Sequence, residues 1–283
     1  MVLRFLVRHV ARVLLIVLAA GLLGASLVRF APAFGVSEVE LDPRLSRDYA
    51  QAHQPHENIL VFYIRFLRGA VTGDFGVSPS FERPIGELLR ERLPVSLRSL
   101  AVGVGTGFAA GLSLAILAIL FRAPAVKVVP VTASAVLLSI PSAALALLFL
   151  VAGWPPSLSL AALVFPRVYR YAVAVLEKHC DAAHVLAARA RGVPPSRILL
   201  AHIVPLAGPQ LLAIAGMAVT IGFPALVPIE AVCDSPGVLQ LAWKAALARD
   251  LPLLVTLTMV ASVVVLLGNA AADFSSEALR RQT

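Results

Sequence analysis

The chain has 283 residues, of which 59% are hydrophobic and 14% charged, with a formal net charge of +8 and a mean hydropathy of +0.88. Soluble domains carry about 45–50% apolar and about 25% charged residues, so the composition excludes a water-soluble fold built on a single core. The basic residues are scattered and flank apolar runs instead of clustering, which argues against nucleic acid and for the charge bias of membrane topology.

Charge-free stretches at Val13–Val28, Leu100–Phe121, Val128–Trp154, Val204–Ile229 and Leu251–Ala272 meet the need for roughly 20 apolar residues, at 1.5 Å each, to cross a hydrocarbon core of about 30 Å. The expected fold class is therefore all-α and polytopic, with about six transmembrane helices. At the start, Arg4, Arg8 and Arg12 precede the first apolar run, and Arg29 and Ala31-Pro32-Ala33 follow it. A cleaved signal also has a basic start and a small-residue exit, but this run exceeds the about 7–15 residues of one, so residues 1–31 read as a retained first helix. Residues 32–97 are polar, with turn signals at Asp42-Pro43 and Gly73 to Pro79, and form an extracytoplasmic loop. After Pro84, Ile85, Leu88, Leu89 and Leu93 share one helical face, which predicts a short helix along the membrane surface.

Residues 98–283 hold five further spans, at about 98–121, 128–152, 157–176, 205–231 and 252–272. Gly103, Gly107 and Gly111 suit close helix packing. The Gly103-x-Gly-x-Gly run is no phosphate loop, because it lies in an apolar span and lacks the Lys-Ser/Thr ending. Arg167 and Arg170 are costly in lipid, and either snorkel towards the cytoplasmic end of the fourth span or line a pathway. Pro224 and Pro228 are expected to loosen the outer half of the fifth span, as a moving pathway requires. Counting Lys and Arg in the short connections places both termini in the cytoplasm.

The loop 177–205 is the most informative polar segment. A helix is expected to run to Arg191, with Gly192 as its left-handed cap and Arg189 and Arg191 at the end that favours cations. Pro194 and Pro195 stop it, and Ser196 is expected to cap a new helix that returns through Arg197 to the membrane. Within the cluster His179, Cys180, Asp181 and His184, only Cys180 and His184 share a helical face, so no metal site is expected. Cys180 and Cys233 fall on opposite sides of the membrane and are not expected to pair. No nucleophile pairing or Walker-type sequence is visible, so the chain is not expected to be an enzyme.

Several motifs in order resemble the permease subunits of bacterial ABC importers of the dipeptide/oligopeptide/nickel branch. Ala187, Ala188, Gly192 and Pro205 reproduce the spacing of that family's cytoplasmic loop, and Ala188-Arg189-Ala190-Arg191-Gly192 and His202 are similar to the branch's own version of it. GDFGVS at 73–78, RPIGELLRERLPVSL at 83–97, Ser235-Pro236-Gly237 and Ala248-Arg249-Asp250-Leu251-Pro252 resemble its outer elements. Departures are Leu186 in place of an acid, His184 in place of tyrosine, and a missing Gly-Asp-Pro entry to the external loop.

The resemblance implies a multi-pass subunit of a bacterial inner membrane that forms half of a translocation pathway. Its implied partners are a second homologous permease, two cytoplasmic ATPases that use ATP and Mg, and an extracytoplasmic substrate-binding protein docking on segments 32–98 and 232–251. No cofactor is implied in this chain itself. His184, Ala187, Ala188, Arg189, Ala190, Arg191, Gly192 and Pro205 would form the coupling helix and its frame. The cargo would be a dipeptide, a longer peptide, nickel or glutathione. A stand-alone secondary transporter or channel would instead need ionisable groups at mid-membrane, and the spans read as nearly free of acids.

Overall fold

The structure is a computed structural model that describes residues 15–24, 26, 59–121, 124–180, 182–248 and 250–280. Arg4, Arg8, Arg12, Arg29, the Asp42-Pro43 turn, Arg122, Asp181, Arg249 and the side chain of His184 lie outside the described residues. Apart from a two-stranded hairpin, every described element is helical. In chain order they are α1 (Leu15–Gly24), α2 (Ile59–Thr72), β1 (Val77–Ser78), β2 (Arg83–Pro84), α3 (Ile85–Phe121), α4 (Pro124–Ser139), α5 (Ser142–Val151), α6 (Pro156–Cys180), α7 (Ala183–Ala190), α8 (Pro195–Val232), α9 (Val238–Leu247) and α10 (Leu251–Arg280).

Within α3, α6, α8 and α10, the stretches Ile85–Phe121, Pro156–Cys180, Pro195–Val232 and Leu251–Ser275 are long and apolar enough to cross a membrane. The expected third span is not one straight helix: Val128–Ser139 and Ser142–Val151 meet at 104°. The break falls at Pro141, which has φ −58° and stands as the cap of α5. Proline has no N–H to give to the preceding turn and pushes the residue before it out of the helical region, so the helix cannot run through. Among the described residues, counting the bent pair as one span gives five at most. The first expected span is described only over α1 and Ser26.

The chain divides into two compact units. One comprises Met1–Val95 with Pro236–Val264, the other Ser96–Ser235 with Val265–Thr283. In the first, α2 was not anticipated from the polar character of its surroundings. Tyr63, Phe66 and Val255 form its core, joined by Leu22, Leu67, Phe75, Leu251 and Met259, and the Tyr63 hydroxyl donates to the Leu18 carbonyl at 2.6 Å. A carbonyl in an apolar helix thereby gains a donor, and α2 is fixed to α1.

A second correction concerns the segment after Pro84. The expected surface helix is not separate: Ile85 to Phe121 is one helix of 37 residues that passes through Pro94. Its apolar face does exist, but Ile85, Leu88 and Leu89 are buried in protein and do not lie on lipid headgroups.

The second unit is built on α6 and α8, which pack against each other. Leu160, Val164, Val168, Tyr169, Ala172 and Leu176 supply one side of this core, and Ala207, Ala218, Phe223, Leu226 and Ile229 the other. The glycine stripe of α3 packs closely on another helix, as the sequence predicts, and the partner is α6. A methyl group on Gly103, Gly107 or Gly111 would approach Leu160 at 2.7 Å, the Ala161 carbonyl at 2.8 Å and Val168 at 2.9 Å, respectively. Such distances are shorter than real contacts allow, so the missing side chains set the approach of the helices. A similar close contact joins α8 to α10, where a methyl on Gly216 would meet the Ala272 Cβ at 2.6 Å. Beside it, the Thr220 hydroxyl donates to Asn269 Oδ1 at 2.8 Å.

Candidate functional site

The segment joining α6 to α8 is a helical bracket, close to the form its sequence predicts. The cap at Gly192 is as expected, with φ +74°, a conformation costly for any residue with a Cβ. The Val193 N–H donates to the Ala188 carbonyl at 3.2 Å and the Gly192 N–H to the Arg189 carbonyl at 3.0 Å, which satisfies the end of α7. Two details differ. A break at Ala182, in extended conformation with ψ 142°, separates α7 from α6, so Cys180 and His184 do not share one helix face. The next helix is opened by Pro194 as cap with Pro195 in its first turn and not by the Ser196 side chain. Proline suits that place because the N–H it lacks has no helical acceptor there.

The bracket presents a defined outer face. Val185 and Ala188 are buried, while Ala183, Leu186, Ala187 and Ala190 are exposed, at the three- and four-residue steps of one helical stripe. Leu186 is 50% exposed. It was noted in the sequence only as a departure from the family pattern, yet it is the one large side chain on this small-residue stripe. Arg191 and Arg197 are exposed nearby in sequence, and Arg189 is half-buried. The surface is thus apolar and narrow with cations at its margin.

Pro205 explains a widened turn within α8. Residues Leu199–Ile203 form a widened helical turn in which the Val204 N–H donates to the Leu199 carbonyl, one residue farther back than in an α-helix. Pro205 has no N–H for the carbonyl four residues before it, and the wider turn relieves its ring from that carbonyl. His202, half-buried, lies within this turn.

The other expected site residues are dispersed. Arg167 is half-buried and donates to the Leu163 carbonyl of its own helix at 2.9 Å, whereas Arg170 is exposed. Pro224 and Pro228 do not interrupt α8, which continues to Val232. Pro224 is exposed, while Phe223, Leu226 and Ile229 next to it are buried. The C-terminal half of α8 is packed, and its prolines leave the helix intact.

Sequence reading missed a buried acid. Glu230, in the last turn of α8, is fully buried and accepts a hydrogen bond from the equally buried Ser96 hydroxyl at 2.6 Å. The polar contact fastens α3 to the end of α8. Three residues further, Cys233 lies just beyond the span, and burial raises its thiol pKa.

In the first unit, the two outer motifs meet at one carboxylate. Asp250, 2% exposed, accepts from the Leu253 N–H at 3.1 Å and so caps α10. Its other oxygen accepts from the buried Ser78 hydroxyl and from the Ser80 N–H. The hairpin pairs Val77 with Pro84 and Ser78 with Arg83. On its exposed edge Arg83 bonds Glu91 through both terminal nitrogens, at 3.1 and 2.6 Å. That hydrogen bonding, with the charge of Glu91, raises the Arg83 pKa. Arg92 donates to the buried Gln240 at 3.1 Å and ties α3 to α9.

Apolar helices of spanning length, a glycine-packed core and a capped bracket outside the spans define a multi-pass α-helical membrane protein. Residues 107–283 match the family described as binding-protein-dependent transport system inner membrane component, and the chain belongs to that family. It is similar to the oligopeptide transport system permease protein AppB of Bacillus subtilis (strain 168), with 23% identity over 304 aligned positions that cover 95% of each chain. The chain is therefore an inner-membrane permease subunit of an ATP-driven importer, working with ATPase and binding-protein components.

Proposed function

We propose that this subunit forms half of the pathway of an importer for peptides, and that α7 is the element through which ATP hydrolysis elsewhere moves it. The peptide cargo follows the name of the Bacillus relative, whose alignment extends along nearly the whole chain. The carrying observation for coupling is the exposed stripe Ala183, Leu186, Ala187 and Ala190, held by the Gly192 cap on one side and the break at Ala182 on the other. Small side chains allow close seating in a groove, as small-residue faces do elsewhere. Leu186 supplies the apolar knob, Arg189 and Arg191 follow it in sequence, and His184 and Pro205 belong to the same coupling segment in this reading.

The complete machine in this reading has a second permease subunit, two cytoplasmic ATPases using ATP and Mg, and an external binding protein. Both termini of this chain lie in the cytoplasm, on the side of α7. The hairpin 77–84, anchored by Asp250, is a firm part of the external docking face. Arg167, Arg170, Pro224 and Pro228 remain pathway candidates; the half-buried Arg167 and the exposed Pro224 are accessible enough to serve.

The test is a contact experiment in the assembled complex. Leu186→Cys, carried in membranes expressing the whole operon, is expected to cross-link through a short bifunctional thiol reagent to a nucleotide-binding subunit, and to lose the adduct when nucleotide drives that subunit through its cycle. Cross-linking only to external proteins would reverse the topology and overturn the coupling assignment.

A further inference from the structure

A cavity of about 350 Å3 opens in the second unit where α3 ends and α6 gives way to α7 and α8. Its wall is apolar at Ile119 and Leu120 of α3 and at Ile198 and Leu199 of α8, with the buried thiol of Cys180 between them. Among the described residues, the one charged group on the wall is Arg189 of α7. No carboxylate pairs with Arg189 among the described residues, although the side chain is half-buried. A cation partly removed from water beside an apolar cavity calls for an anion on an apolar stem. The place suits one, since α3 completes its apolar run at Phe121 and α7 lies outside the spans.

We infer that this cavity binds an anionic phospholipid of the bilayer, with the headgroup against Arg189 and an acyl chain along Ile119, Leu120, Ile198 and Leu199. The apolar wall alone would take any lipid, and Arg189 makes the choice anionic. Bound there, the lipid fills the space beneath α7 and stiffens the bracket where it joins α6 and α8. Binding itself stands apart from the coupling role of α7 and is read without any ATPase.

Cys180 supplies the reporter. Cys233→Ser leaves it as the one thiol of a chain with two cysteines. The protein is reconstituted in vesicles of phosphatidylcholine alone or with added phosphatidylglycerol, and maleimide labelling of Cys180 is timed. Phosphatidylglycerol is expected to slow labelling about fivefold, the effect of one cation on an anionic headgroup. Arg189→Gln is expected to abolish the difference and Arg189→Lys to retain it, with both variants labelling alike in phosphatidylcholine. Equal labelling in the two membranes, or a lipid effect that survives Arg189→Gln, overturns the site. Slowing by inorganic phosphate in phosphatidylcholine vesicles would mean a free-anion site and would equally contradict it.

Discussion

Asp250 shows how one side chain can hold a hairpin and a helix end together. It caps α10 and holds the hairpin through Ser78, so Asp250→Ala removes a helix cap and leaves a buried hydroxyl without its acceptor. Together these cost about 2–4 kcal/mol. A glutamate-specific protease applied from the side that carries the hairpin is expected to cut after the exposed Glu82 sooner in this variant, whereas an unchanged digestion rate would contradict the anchor. Ser96→Ala takes a hydrogen bond from the buried carboxylate of Glu230 and is expected to lower stability by about 1–3 kcal/mol, seen as earlier thermal aggregation in detergent. Gly192→Val is expected to spare membrane insertion but to separate ATP hydrolysis from uptake, because a β-branched residue does not tolerate φ +74°. Uptake and hydrolysis that remain tied in this variant would count against the bracket as transmitter. The cap at Gly192 was legible because glycine followed by two prolines has a local meaning. Glu230 was not, since it follows immediately on the charge-free run Val204–Ile229 and reads as the end of a span.

At the level of elements, spacing in the sequence carried the packing of α3 on α6. Gly103, Gly107 and Gly111 recur at four-residue steps, and all three meet α6, while Gly105, out of step, meets nothing. Gly107→Ile is expected to force α3 from α6 and lower stability by about 1–3 kcal/mol, with the same change at Gly105 nearly neutral. Equal effects at the two positions would contradict the packing. Other elements were less legible, for physical reasons. The 104° bend of α4 against α5 was not legible, because Pro141 signals that a helix is interrupted but not by what angle. The break at Ala182 lies among good helix formers, where local propensity gives no warning. Helix α2 contains Arg65 and Arg68 and sits in a polar region, so its core residues Tyr63 and Phe66 were hidden by the average.

For the whole molecule, composition and run length settle the membrane class, and the family follows from motifs distributed from Gly73 to Pro252. Two of those motifs, at 73–78 and 248–252, are joined in space through Ser78 and Asp250. The energy source lies outside this chain, and the account rests on its transfer through α7. The most direct measurement is peptide uptake by proteoliposomes carrying the complex purified through this subunit, with ATP and binding protein supplied or withheld. Uptake is expected to require both, and to fail in the Gly192→Val complex while ATP hydrolysis continues. Uptake by this chain alone without ATP would contradict the account.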